Sequence, residues 1–261
     1  MKTSDGATHR EFESHTHRQK STGFHLSIFY SLQTFLLHAI LSKTGGGSRT
    51  PKAIFFDLDG TLTDSGEGII NCATLALEHL GLPVPSREEM GVFVGPPLDK
   101  TFIEFGVPAE KAQEAIDVFR SRYLVVGKYE NHPYPGIHDL LENLKARGHR
   151  LFVATSKPEE TAVDILHKFE LAAFFEEICG ASFDHSRVHK ADVLKYLLAK
   201  IGGAENALMI GDTEFDVLGA AAHGIPTIGV SWGYGKVEAM ENAGAIPIAH
   251  TIEELKSLIN K

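Results

Sequence analysis

The sequence predicts an α/β fold: a doubly wound parallel sheet covered on both faces, with a small all-helical segment inserted after its first strand. Three observations carry this. Ile54-Phe55-Phe56, Leu151-Phe152-Val153-Ala154 and Ala207-Leu208-Met209-Ile210 are short apolar runs that each stop abruptly at polar residues. Strands buried on both faces read in this continuous way. From 132 onward such runs alternate with helical periodicity, as in a parallel sheet whose crossovers are helices. Between 68 and 130 the periodicity is helical throughout.

The first strand runs into Asp57-Leu58-Asp59-Gly60-Thr61. Extended residues two apart share a side, so Asp57 and Asp59 face one ligand at the carboxyl end of the strand, where open α/β sheets bind. Alone, Asp-x-Asp-Gly also fits a solvated turn; the apolar run before it and the motifs after it argue otherwise. The inserted segment is expected to hold helices over 71–80, closed by Gly81, over 97–105, closed by Gly106, and over 108–129, with Pro108 suited to the first helical position. In the last of these Ala112, Ala115, Ile116, Phe119 and Tyr123 line one face, a stripe for the segment's own packing. Beyond 132, helices are expected at 138–147, 159–169, 190–201, 214–223, 236–243 and 251–259, and strands at 150–155, 176–180, 207–211, 226–230 and 246–249. Thr155 and Ser156 end one strand, and Ser156 is the better candidate to cap the helix that follows Pro158. Lys190 opens a helix, and Gly211-Asp212 ends a strand with Asp216 four residues on. Trp232-Gly233-Tyr234-Gly235 lacks the spacing of a dinucleotide fingerprint and reads as a loop near the mouth of the site.

Carboxylates, hydroxyls, a lysine and further carboxylates thus come in turn at strand ends and helix starts. Two adjacent carboxylates repel, and a hard cation such as Mg²⁺ with a phosphate group accounts for them. Asp57-Leu58-Asp59-Gly60-Thr61, Thr155, Lys190 and Gly211-Asp212-Thr213-Glu214-Phe215-Asp216 together resemble the haloacid dehalogenase-like hydrolases over roughly 51–261. Gly95-Pro96-Pro97-Leu98, Tyr134-Pro135-Gly136-Ile137, Thr155-Ser156-Lys157-Pro158 and Trp232-Gly233-Tyr234-Gly235 look like the phosphoglycolate phosphatase and 5′-nucleotidase branch. The resemblance implies a Rossmann-like core over 51–67 and 132–261 and a helical cap over 68–131. It implies Asp57 as nucleophile, Asp59 as acid and base, Thr155 and Ser156 on phosphate oxygens, and Lys190 as charge neutraliser. It implies Mg²⁺ held by Asp57, Asp212 and the Asp59 carbonyl, with Asp216 binding through water or orienting Lys190. Within that resemblance an acid at Asp59 implies phosphatase or phosphomutase chemistry, and an alkoxide leaving group does need a proton. Gly95 sits in a stiff Gly-Pro-Pro loop that either presents backbone to a ligand or simply connects two helices. Lys100 either reaches a substrate anion or is solvated.

The net charge of −9 is uneven, with +3 over residues 1–50 and −12 over the remainder. An acidic body argues against nucleic acid and anionic membrane as partners and leaves a small phosphorylated metabolite. Cys72 and Cys179 lack metal-ligand spacing, so a reduced, cytoplasmic setting is expected. Residues 1–50 read as a leader: a polar stretch bearing His9, His15 and His17, an apolar stretch over 24–41, and the flexible linker Thr44-Gly45-Gly46-Gly47-Ser48. A membrane span wants about 20 mostly apolar residues. This stretch is shorter and broken by His25, Ser27, Ser31, Gln33, Thr34 and His38, so an amphipathic helix on a disordered leader is expected. The expectation for the whole is a Mg²⁺-dependent phosphomonoester hydrolase, a monomer or homodimer, acting on phosphoglycolate or a nucleoside 5′-monophosphate. A sugar phosphomutase would depend on a bisphosphorylated activator; a non-catalytic binding module would keep its partner after loss of Asp57.

Overall fold

The computed structural model describes residues 52–182 and 186–261, so the expectations for the leader lie outside the described residues. In chain order the elements are β1 (Ala53–Phe56), β2 (Thr63–Asp64), α1 (Gly66–His79), α2 (Leu98–Glu104), α3 (Ala112–Tyr123), β3 (His132–Pro133), α4 (Ile137–Ala146), β4 (Arg150–Pro158) and α5 (Glu159–Lys168). They continue with β5 (Glu177–Ala181), α6 (Lys190–Lys200), β6 (Ala207–Gly211), α7 (Glu214–Ala221), β7 (Thr227–Val230), α8 (Val237–Ala243), β8 (Ile248–Ala249) and α9 (Ile252–Ile259).

Six of these strands form one parallel sheet in the order β5-β4-β1-β6-β7-β8. Side chains alternate along β1. Ile54 and Phe56 pack with Leu140, Leu144, Ile165 and Leu255 from α4, α5 and α9, whereas Ala53 and Phe55 pack with Val193, Leu197 and Ala220 from α6 and α7. Helices therefore cover both faces, as expected for a doubly wound sheet. The chain moves one way from β1 to β4 and β5, then returns to the other side of β1 with β6. The β1/β6 boundary is thus the switch point at which such sheets open a crevice.

Between β2 and β3 the chain is helical and has its own core, in which Ile69, Leu77, Met90, Phe93, Phe102, Ile116 and Phe119 are buried together. Phe93 and Phe102 meet edge-to-face at 5.0 Å. Thr63 and Asp64 pair antiparallel with Pro133 and His132, so the two crossings into this segment run side by side; neither short strand was expected from the sequence. Among the described residues no helix is long and apolar enough to cross a membrane.

Three local expectations are corrected. The first helix begins at Gly66 rather than near 71. Gly66 and Gly68 lower helix propensity, but a Cβ at Gly66 would lie 1.9 Å from Tyr234 Oη and one at Gly68 1.9 Å from the Gly127 carbonyl oxygen. The long helix expected over 108–129 is regular only over Ala112–Tyr123, with 3₁₀ turns at Ala109–Lys111 and Gly127–Tyr129. Gly127 must leave the helix to approach Gly68 and Cys72. Finally, Ser156 does not cap α5. Strand β4 continues through Thr155 and Ser156 to Pro158, which precedes the helix without a side-chain cap.

Candidate active site

Asp57 is the first residue beyond β1, and Asp59 follows in the turn that β1 enters. Asp57 Oδ1 accepts the Leu58 N–H at 2.7 Å and meets Lys190 Nζ at 2.8 Å. Lys190 is the first residue of α6, and its ammonium also reaches Asp216 Oδ1 at 2.7 Å and the Ala154 carbonyl at 2.9 Å. Asp216 Oδ2 accepts from the Thr213 N–H at 3.1 Å and the Thr213 hydroxyl at 2.9 Å, closing the first turn of α7. This carboxylate therefore fixes both a helix start and the lysine.

Asp212 follows β6. Its Oδ1 accepts from Thr61 Oγ1 at 3.0 Å and its Oδ2 from the Tyr234 N–H at 2.9 Å. Asp57, Asp212 and Asp216 present carboxylate oxygens within 4.8 Å of one another, and all three are buried. Burial pushes the Asp57 carboxyl up to about 6, with Lys190 opposing and Asp216 assisting the rise. Burial, then the neighbouring Asp216 and Asp57, push Asp212 up to about 8. Burial works against the Lys190 ammonium, but Asp216 and Asp57 outweigh it and raise its pKa. The cluster holds more negative charge than Lys190 balances. Hard oxygen donors around one point, with protons held where charge is too dense, fit a small divalent cation.

Thr155 is buried beside the cluster, and its Oγ1 accepts the Lys157 N–H at 3.2 Å. Ser156 is half-buried next to it. Gly95 approaches from the helical segment: it has φ +108°, and a Cβ there would lie 3.6 Å from Thr213 Cγ2. Lys100, exposed on α2, takes no part in the ion pairs or hydrogen bonds of the cluster. The fold thus brings together Asp57, Asp59, Thr155, Lys190, Asp212 and Asp216 and leaves Lys100 apart.

Sequence reasoning singled out Thr155-Ser156-Lys157-Pro158 and placed Trp232-Gly233-Tyr234-Gly235 near the mouth of the site, but gave Lys157, Trp232, Gly233 and Tyr234 no role. Lys157 Nζ pairs with Asp59 Oδ2 at 2.7 Å, and both side chains are buried. Its signal was its place directly after Thr155-Ser156 at a strand end. Tyr234 donates its backbone N–H to Asp212, and its hydroxyl to Asp64 beside the crossing into the helical segment. Trp232 Nε1 donates to the Thr61 carbonyl at 3.2 Å. Gly233 is required by contact: a Cβ there would lie 2.3 Å from Asp212 Oδ2 and 2.4 Å from the Gly60 carbonyl oxygen.

Sheet, switch point and carboxylate cluster define a doubly wound α/β protein whose candidate site is built around a strand-end aspartate. The chain belongs to the haloacid dehalogenase-like hydrolases, whose family pattern it matches over residues 54–230, and its enzyme class is that of the phosphoric monoester hydrolases. It is 42% identical over 220 residues to the protein named Tyrosine-protein kinase PtkA of Mycobacterium tuberculosis, covering 83% of this chain and 75% of that one. It is 43% identical over 189 residues to a 5′-nucleotidase of Pseudomonas aeruginosa, covering 72% of this chain and 86% of the relative. The crystal structure of a predicted phosphatase from Clostridium acetobutylicum superposes with a TM-score of 0.76 at 40% identity, over 80% of this chain and 99% of that one.

Proposed function

We propose that this phosphatase uses Mg²⁺ and hydrolyses monoesters of small soluble metabolites, with phosphoglycolate and nucleoside 5′-monophosphates as candidate substrates. One observation carries the reading: a buried ammonium, Lys190, holds Asp57 and Asp216 where Asp212 also converges. In this reading an Asp57 oxygen attacks phosphorus as the ester P–O bond breaks, and Asp59 gives its proton to the departing oxygen. Water then attacks the aspartyl phosphate and passes a proton to Asp59. Inorganic phosphate leaves, and Asp57 regains its carboxylate. Thr155 and Ser156 bind phosphate oxygens, and Lys190 balances charge on Asp57 and the phosphoryl group. Asp57, Asp212 and the Asp59 carbonyl hold the metal, and Asp216 acts through Lys190 or through a water. Bound Mg²⁺ supplies positive charge to the phosphoryl oxygens.

Residues 68–131 serve as a cap over a core made of 51–67 and 132–261, with the Gly95 turn the part of the cap that approaches Thr213 beside the site. A closed cap excludes water and contacts the leaving group. The free, buried thiols of Cys72 and Cys179 support a reduced cytoplasmic setting, in which we assign the chain as a monomer or homodimer.

The test is phosphate release from a panel of small phosphomonoesters, with and without Mg²⁺, by the native protein and Asp57→Asn. Metal-dependent release that vanishes in the variant is expected. Release that persists in Asp57→Asn places the nucleophile elsewhere. The similarity to a protein named as a tyrosine kinase favours a second reading, in which the phosphoryl group on Asp57 passes to an acceptor hydroxyl other than water. A sugar phosphomutase has the same form. Label from the donor recovered on an added acceptor, rather than as free phosphate, distinguishes these.

A further inference from the structure

The loop between β7 and α8 lies flat against Asp212. A Cβ at Gly233 would be 2.3 Å from Asp212 Oδ2, and one at Gly235 would be 1.8 Å from the Asp212 carbonyl oxygen. Between these two glycines the Tyr234 N–H donates to Asp212 Oδ2 at 2.9 Å. The main chain of Tyr234 is therefore held on a carboxylate of the candidate metal cluster.

The side chain of Tyr234 goes the other way. Its ring packs on the core of the helical segment; among the described residues, every other apolar group in that core lies between 69 and 123. A Cβ at Gly91, in the 3₁₀ turn Glu89–Phe93, would lie 3.7 Å from Tyr234 Cδ1. The hydroxyl donates to Asp64 Oδ1, which also accepts the Gly66 N–H at 3.3 Å. Asp64 belongs to β2, whose pairing with His132 and Pro133 joins the two crossings into the segment. Gly66 leaves the space this hydroxyl needs, since a Cβ there would be 1.9 Å from Tyr234 Oη. One residue thus spans from the metal cluster to the paired crossings.

Resting on the Mg²⁺ reading above, we propose that Tyr234 is a positioning residue that couples metal binding at Asp212 to the seating of the helical segment on the sheet. With the segment seated, Asp64 receives the hydroxyl and the loop holds the Asp212 carboxylate at the cluster. When the segment lifts, β2 carries Asp64 with it. Tyr234 then loses a charge-assisted bond, a strong one, or the loop follows and takes its N–H away from Asp212. Mg²⁺ demands near-ideal ligand geometry, so the two arrangements bind it unequally. Coupling of this kind is reciprocal: the factor that seating contributes to Mg²⁺ affinity is the factor that bound Mg²⁺ contributes to seating.

The experiment measures Mg²⁺ affinity by titration calorimetry, and amide hydrogen exchange with and without Mg²⁺. It uses the full chain as native protein, Tyr234→Phe, Asp64→Asn and the double variant. Tyr234→Phe keeps the ring and the N–H and removes only the hydroxyl. It is expected to weaken Mg²⁺ binding by about fivefold or more, the lower end of couplings between sites. In native protein Mg²⁺ slows exchange at the Gly66 and Gly68 amides, which are bonded to Asp64 and to the Glu130 carbonyl at the crossings. In Tyr234→Phe that slowing is lost, while the amides of β1 keep theirs. Asp64→Asn keeps the acceptor's shape without its charge and weakens Mg²⁺ binding less. Both changes act through one bond, so their losses do not multiply in the double variant. Native Mg²⁺ affinity in Tyr234→Phe, with only Tm lowered, makes the hydroxyl purely structural and overturns the proposal. So do losses that multiply. Failure of the metal reading looks different: the native protein then gives no Mg²⁺ isotherm, and the proposal falls with it.

Discussion

Lys190→Met removes an ammonium while keeping most of the side chain's length, so its effect is electrostatic rather than that of a cavity. The ammonium lies 2.8 Å from Asp57 Oδ1, 2.7 Å from Asp216 Oδ1 and 2.9 Å from the Ala154 carbonyl oxygen. Its loss leaves two buried carboxylates and a carbonyl facing an apolar terminus. Removing one partner of a buried ion pair costs about 3–5 kcal/mol, because the remaining charge is uncompensated. The cost depends on pH. Burial raises the Asp57 carboxyl from 3.8 to about 6 even with Lys190 present, and losing the lysine raises it further. A carboxyl raised in the folded state contributes stability below its unfolded pKa, and that contribution is lost as pH rises through the folded value. At pH 5 the variant answers by holding a proton on Asp57, so the loss is at or below about 3 kcal/mol. At pH 8.5 the full penalty is expected. Urea unfolding of metal-free native and variant protein at both pH values measures it, provided the m value is unchanged. A loss below about 1 kcal/mol at pH 8.5, or a larger loss at pH 5 than at pH 8.5, refutes the reasoning.

Two further outcomes follow from the same cluster. Metal-free native protein loses thermal stability as pH rises, first through about 6 for Asp57 and then through about 8 for Asp212. Added Mg²⁺ raises Tm more at pH 9 than at pH 5, which scanning calorimetry checks; equal shifts at the two pH values count against a metal held by these groups. Gly233→Ala drives a Cβ to 2.3 Å from Asp212 Oδ2 and so displaces that carboxylate or the loop. Its expected cost is about 1–3 kcal/mol in stability. A weaker Mg²⁺ isotherm is expected in titration calorimetry, and native affinity in this variant breaks the proposed link between loop and metal.

The strand ends were legible because three apolar runs stop at Asp57, Thr155 and Asp212, and a parallel sheet brings such ends to one edge. Local pattern says nothing of which residue of a neighbouring strand lies alongside. Lys157 joins Asp59 only because β4 pairs with β1, a contact across 98 residues of sequence. Tyr123 was read as part of a packing stripe, which it is, since it stacks on Phe119; its ring also lies 5.0 Å from the ammonium of Lys157 in β4. The start of α1 was hidden by Gly66 and Gly68, weak helix formers kept for close approach to Tyr234 and Gly127. The Ser156 cap failed because β4 reaches Pro158, where the register with β5 shifts. Propensity placed the elements, and tertiary contact decided where they begin and end.

The paired crossings Thr63–Asp64 and His132–Pro133 have a consequence beyond positioning. The polypeptide departs from the sheet layer and comes back to it at the same spot, so everything between is attached like a pendant on one clasp. Its interior packs largely on itself. Neither the strand order nor the strand-end aspartates lie within that pendant. On the function proposed above, changes of leaving group would then be confined to one contiguous stretch of sequence, apart from the strand-end aspartates proposed to carry the phosphoryl chemistry.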